Sequence, residues 1–170
     1  ILDAAGHDVT REYYINDAGS QMNAFYGSVY ARYMQSLGQS VEMPTNGYVG
    51  DYITELALEI VASDGKRFME MDEEQAIKEI GDVAREKMID VIGDDLGHIG
   101  VVFDTWFSEG SLFSEDEYDQ SMGLLREKNY LAEKENALWF KASTLGDEKD
   151  HVVIRSSGDS TYFASDIAYH

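Results

Sequence analysis

Residues 72–96 predict one long helix, and the segments around it must supply its cover. Asp72 heads the stretch with Glu73, Glu74 and Gln75 behind it, an N-cap followed by acidic groups that offset the helix dipole. Ile77, Ile80, Ala84, Met88, Val91 and Ile92 recur at helical spacing and predict the buried face. Residues 51–63 place Ile53, Leu56, Ala57 and Ile60 on one face before Ser63-Asp64-Gly65 stops the run. Residues 20–37 predict a third helix, in which Tyr26, Tyr30 and Tyr33 read as packing. The sole proline, Pro44, lies in an irregular region over 39–51.

Strand signals flank these helices. Gly6 reads as the C-cap of an opening helix, and residues 9–16 alternate as a strand does. That strand ends at Asn16-Asp17-Ala18-Gly19, a strand-to-helix turn of the kind that faces substrate at the carboxyl end of a parallel sheet. Asp17 reads first as the helix N-cap and second as a pocket residue. Residues 99–106 predict a second strand, followed by a helix over 114–128 that Ser114 and Glu117 open as a capping box. Trp106 reads as a packing residue rather than a base-stacking one. Glu109 reads as a turn residue, with a functional carboxylate as the alternative. Residues 130–133, 137–142 and 151–155 predict three more strands, the first two joined as a hairpin across Lys134-Glu135-Asn136.

A turn over 156–159 then leads into a last helix, where Tyr162 and Asp166 stand four residues apart. That spacing sets a phenol and a carboxylate on one face. A guanidinium or ammonium group needs such a pair, the carboxylate for charge and the ring for a stacking face. A plain surface pair is the alternative. Gly97-His98-Ile99-Gly100 follows a long helix, which is the wrong context for a phosphate loop. His98, His151 and His170 have no assigned role; His170 reads as a helix residue, with a ligand contact as the alternative.

Composition bounds the function. A chain of 170 residues with 44% hydrophobic and 12% aromatic content can bury a real core. No window is apolar enough for a membrane span. The absence of cysteine excludes disulfides and thiolate metal sites, and a cytoplasmic location is expected. In the turn at 146–151, Asp147, Glu148, Asp150 and His151 are donors without the glycine or spacing of a calcium loop, so no metal site is expected. Thirteen basic against thirty-three acidic side chains give a net charge of −20. Arg11, Lys66, Arg67, Arg85, Lys87, Arg126 and Lys128 are scattered. The chain by itself is therefore too acidic to bind nucleic acid strongly, and no DNA partner is expected.

Five ordered blocks carry a resemblance: VTREYYINDAGSQM (9–22), GYVGDYI (47–53), FDTWFSEGSLF (103–113), ENALWFKAST (135–144) and GDEKDHVVIRSSGDSTYFASDIAYH (146–170). Together they resemble the catalytic domain of bacterial arginyl-tRNA synthetases, class I aminoacylating enzymes. His151 and Ser157 depart from the family's usual Arg and Asp. The resemblance implies an α/β fold, part of a class I Rossmann-like nucleotide-binding catalytic domain with a mixed α+β connective insertion. Residues 1–43 would be the first-half catalytic segment, 44–131 the mostly helical insertion, and 132–170 the strands and helix returning to the core.

It also implies roles. Tyr162 and Asp166 match the positions that recognise the arginine side chain, and Asn16, Asp17, Gly19 and Gln21 match a segment lining the pocket. The parent enzyme would use ATP, with Mg2+, to activate arginine and would transfer it to tRNA(Arg). No residue of this chain is expected to be catalytic. The His-x-Gly-His and Lys-Met-Ser-Lys-Ser-type signatures that hold ATP are absent, so the expectation is an internal fragment, inactive alone. Two other readings are an acidic protein-interaction module and an editing-type hydrolase. The latter lacks a concentrated Thr/Asp/His cluster.

Overall fold

The computed structural model describes residues 1–170 and divides them into two units. One comprises Ile1–Arg11 and Asp17–Asp104, the other Glu12–Asn16 and Thr105–His170. The chain therefore passes between them at Arg11/Glu12, Asn16/Asp17 and Asp104/Thr105. At the neck of the first unit the backbone N–H of Arg11 donates to Asp104 Oδ2 at 2.7 Å, and that of Asp104 donates to the Arg11 carbonyl at 2.8 Å.

The first unit is three packed helices: α1 (Ser20–Ser36), α2 (Asp51–Asp64) and α3 (Glu73–His98). Val29, Tyr30 and Tyr33 of α1 meet the expected Ile53, Leu56, Ala57 and Ile60 of α2 and Ala76, Ile80 and Ala84 of α3, with Phe68 between them. Tyr33 is buried without cost to its hydroxyl, which donates to the Gly65 carbonyl at 2.7 Å while its ring meets Phe68 edge-on. Asp72 caps α3 as expected, accepting from the backbone N–H groups of Glu74 and Gln75. The stripe was read too far, however. Val91 is 51% exposed, because α3 outruns the helices that cover its first half.

Where α1 and α3 come closest, Gly81 presses against Tyr26. A Cβ built at Gly81 would lie 2.1 Å from the Tyr26 ring. The Tyr26 hydroxyl donates to Asp82 at 3.1 Å. Burial pushes its pKa from 10.0 up to about 12, with the Arg85 charge opposing and the Asp82 charge adding. The folded state thus holds this proton more tightly than the unfolded chain. The resulting stability is complete below pH 10 and is lost as pH rises through about 12. Alkaline unfolding followed by circular dichroism should fall less steeply over that window in Tyr26→Phe; an unchanged slope would count against this account.

The second unit carries two small sheets. β1 (Glu12–Ile15) pairs in parallel with β2 (Thr105–Ser108), Tyr14 opposite Phe107. β3 (Leu131–Lys134), β4 (Ala137–Phe140) and β5 (His151–Ile154) form an antiparallel sheet in that order. Glu135 and Asn136 make the two-residue hairpin turn between β3 and β4, both at φ 57°, as a type I′ turn requires. Helices α4 (Glu109–Ser114), α5 (Glu117–Glu127) and α6 (Tyr162–Tyr169) complete the unit. Leu112, Tyr118, Met122, Val153 and Ala164 are buried among them. Thr161 caps α6, accepting from the Ala164 N–H, and its own hydroxyl donates to the Val152 carbonyl at 2.8 Å.

Four local expectations are corrected. The opening helix is only a 3-10 turn over Asp3–Ala5, though Gly6 does close it. The stretch 99–106 is mostly not strand: Gly100 at φ 76° ends α3, its N–H donating to the Gly97 carbonyl, and pairing starts only at Thr105. Ser114 opens no helix. It is the last residue of α4, its hydroxyl donating to the Ser111 carbonyl at 3.3 Å, and α5 starts after Asp116 at φ 64° with no side-chain cap. Glu109 is not in a turn but is the buried first residue of α4.

Candidate functional site

Parallel pairing puts every second residue on one face. Tyr14 stands opposite Phe107, and two residues beyond Phe107, where β2 gives way to α4, comes Glu109. The rings of Tyr14 and Phe107 stack at 5.8 Å. Helix α6 lays Tyr169 across both, edge-on to Tyr14 at 4.9 Å and tilted against Phe107 at 4.8 Å. The Tyr169 hydroxyl donates to Glu12, and that bond is the first cause raising its pKa.

Two carboxylates converge on this aromatic wall. Glu109 is only 4% exposed and accepts a hydrogen bond from the Tyr14 hydroxyl. The Tyr14 pKa is driven up first by burial, then by the charges of Glu109 and Asp166. Both acids therefore act on one phenol, Glu109 from the end of β2 and Asp166 from α6. Negative charge held beside ring faces suits a flat cation, and the planar fork of a guanidinium uses both features at once.

Of the expected site residues, Asp166 is exposed on α6, and its charge is among the causes that raise the Tyr14 pKa. Tyr162 lies one turn earlier on α6 and is 66% exposed. Asn16 is exposed at the carboxyl end of β1, in the same unit as Tyr162 and Asp166. Asp17, Gly19 and Gln21 belong to the other unit. Asp17 is not the N-cap of α1; Gly19 occupies that position, at φ 87°, without a side-chain cap. The Asp17 side chain, 2% exposed, instead pairs with Arg85 Nη1 at 3.1 Å. Gln21 is exposed in the first turn of α1.

Tyr14 is the member that reading along the chain missed, and Glu109 was there only as the alternative to a turn residue. A signal for Glu109 was present, since it follows an aromatic strand, but its burial depends on a strand pairing across the chain. In the turn at 146–151, His151 Nε2 lies 2.9 Å from Asp147 Oδ2, which is the first cause lowering the Asp147 pKa. Ser143 donates to Asp150 at 2.6 Å. These acids are engaged in shaping the turn. No group of three or more His, Asp or Glu side chains is placed to hold a metal ion, and no helix is long and apolar enough to cross a membrane.

No family model matches the chain. Curated relatives do. Over all 170 residues the chain is 48% identical to the arginine–tRNA ligase of Dehalococcoides mccartyi and 45% identical to that of Syntrophotalea carbinolica, spanning 31% of each. A crystal structure of an arginyl-tRNA synthetase from Campylobacter jejuni matches 99% of the chain with a TM-score of 0.81 at 34% identity, over 37% of its own length. The chain thus spans about a third of the curated relatives it matches. In sequence and in its mixed α/β fold the chain is similar, from end to end, to about a third of an arginyl-tRNA synthetase.

Proposed function

We propose that the chain is part of an arginine–tRNA ligase and holds the pocket for the arginine side chain. The observation that carries this is buried Glu109 beside Tyr14 and the rings of Phe107 and Tyr169, with the charge of exposed Asp166 also acting on the Tyr14 phenol. Glu109 and Asp166 receive the guanidinium, and Tyr14 and Tyr162 supply hydroxyls and ring faces near it. Asn16, Gly19 and Gln21 line the turn beyond β1, while Asp17 holds that turn in place. Support for the Rossmann-like class comes from two parallel strands that each lead into a helix, β1 through 16–19 and β2 directly. The division into a first catalytic segment (1–43), a connective insertion (44–131) and a returning segment (132–170) belongs to the same reading.

The full protein would join arginine to ATP as an adenylate and pass it to tRNA(Arg). No protein nucleophile is needed, because the arginine carboxylate attacks the α-phosphate and the enzyme positions and stabilises charge. This chain's share is to fix the far end of arginine. In this reading the ATP-holding signatures, which these residues do not contain, belong to the rest of the protein, with the groups for its magnesium. At a net charge of −20, the phosphate contacts to tRNA also fall to other parts of the protein.

Charging of tRNA by the full-length protein, with arginine and lysine compared, tests the reading. A carboxylate pair shaped for a fork should reject the point charge of lysine by about a thousandfold or more in kcat/KM. Absence of arginine charging, or equal use of lysine, would overturn it.

A further inference from the structure

We infer that Arg85, on the long helix α3, is a positioning residue for the turn over 16–21; the inference rests on the arginine–tRNA ligase reading above. Arg85 Nη1 reaches across 68 residues of sequence to Asp17. Its Nη2 lies 3.9 Å from Asp82, which in turn accepts from the Tyr26 hydroxyl. One guanidinium therefore ties the start of the turn to α3, and through Asp82 and Tyr26 to α1.

The geometry of the turn leaves this tether much to do. Gly19, at the position where a Ser or Asp side chain would pin the helix start, has no side chain to offer. Asp17 supplies the anchoring carboxylate two residues earlier, turned toward α3 rather than toward its own helix. Upstream, Asp17 stands three residues after Tyr14, the phenol that holds Glu109. Consecutive Cα atoms are about 3.8 Å apart, so a shift of the Asp17 backbone toward solvent is passed on to Asn16 and the carboxyl end of β1. A carboxylate this buried, deprived of its cation, is strongly driven toward solvent. Arg85 touches no substrate in this scheme. It acts on arginine binding through Asp17, and it has no comparable route to the ATP-holding motifs, which are not in this chain.

The test measures arginine and ATP dependence of tRNA charging by the full-length protein, for wild type, Arg85→Gln, Arg85→Lys and the double variant Asp17→Asn with Arg85→Gln. Melting temperatures are measured alongside, with Asp166→Asn as a control. Arg85→Gln should raise the arginine KM at least about tenfold and leave the ATP KM within about twofold. Arg85→Lys keeps a charge for Asp17 and should recover most of the loss. The double variant removes the buried charge together with its partner, so it should regain melting temperature while the arginine KM stays high.

A merely structural role moves these readouts differently. Both KM values rising together, no change in either, or a double variant that regains arginine KM along with its melting temperature would each overturn the proposal. A wild-type protein that charges no arginine, or an Asp166→Asn variant with unchanged arginine KM, would instead strike the functional reading on which the proposal stands.

Discussion

Glu109→Gln and Asp166→Asn in the full-length protein should each weaken arginine use by raising its KM, with Glu109→Gln the larger effect. Both substitutions keep the shape of the side chain and remove only its charge. A hydrogen bond to a charged partner is worth about 1.5–3 kcal/mol, which corresponds to about tenfold to a hundredfold in affinity. Glu109 is buried and already engaged by the Tyr14 hydroxyl, so its charge acts in a medium with little water to weaken it. Asp166 is exposed, and its effect should lie near the lower end of that range. ATP dependence should stay at the wild-type value in both. Unchanged arginine KM in both variants would remove the guanidinium assignment, and a rise in ATP KM of equal size would point to a disturbed fold.

Gly81→Ala should destabilise the three-helix unit by about 2–3 kcal/mol, the range for overpacking a filled interior. The added carbon would fall 2.1–2.5 Å from Cγ, Cδ2 and Cδ1 of Tyr26. Those atoms sit at the root of the ring, so no turn about a terminal bond relieves the clash. Either α1 and α3 move apart or Tyr26 abandons its bond to Asp82. On an exposed helix the same change would instead stabilise by removing the backbone freedom of glycine. Urea denaturation separates the two cases: a midpoint at or above wild type would mean that the contact at Gly81 is loose. Pairing the change with Tyr26→Ala should recover much of the loss, and failure to do so would move the clash elsewhere.

Elements decided by near neighbours could be read directly. Asp72 and the backbone it caps lie within three residues of one another, and α2 shows its buried face in its own periodicity. The β3–β4 hairpin follows from two short strand-like runs with a brief polar break between them, although of its turn residues only Asn136 readily takes the left-handed conformation. Errors arose where a distant partner competed with a local one. Asp17 has the right chemistry for an N-cap, but Arg85 takes it. Ser114 and Glu117 have the spacing of a capping box, yet α4 had already claimed Ser114 for its last turn. Val91 continues an apolar stripe past the point where α1 and α2 can cover it. The site divides in the same way. Asp166 was named from its spacing to Tyr162 together with the family resemblance, whereas the meeting of Tyr14 with Glu109 depends on a strand register that nothing local specifies.

The passage of the chain between the two units has a consequence for the order in which it acquires structure. β1 is synthesised early and its only partner strand late: the Arg11–Asp104 bond at the neck spans 93 positions. Closing so long a loop of random chain is entropically unfavourable, and pairings of that separation are slow to nucleate. The helices that fill the loop are joined by much shorter segments and can assemble on their own contacts. Once they have, the loop is no longer random, and its two ends emerge held together by the Arg11–Asp104 bonds. The expected order is therefore the helical unit first, and the pairing that sets Tyr14 beside Glu109 after it.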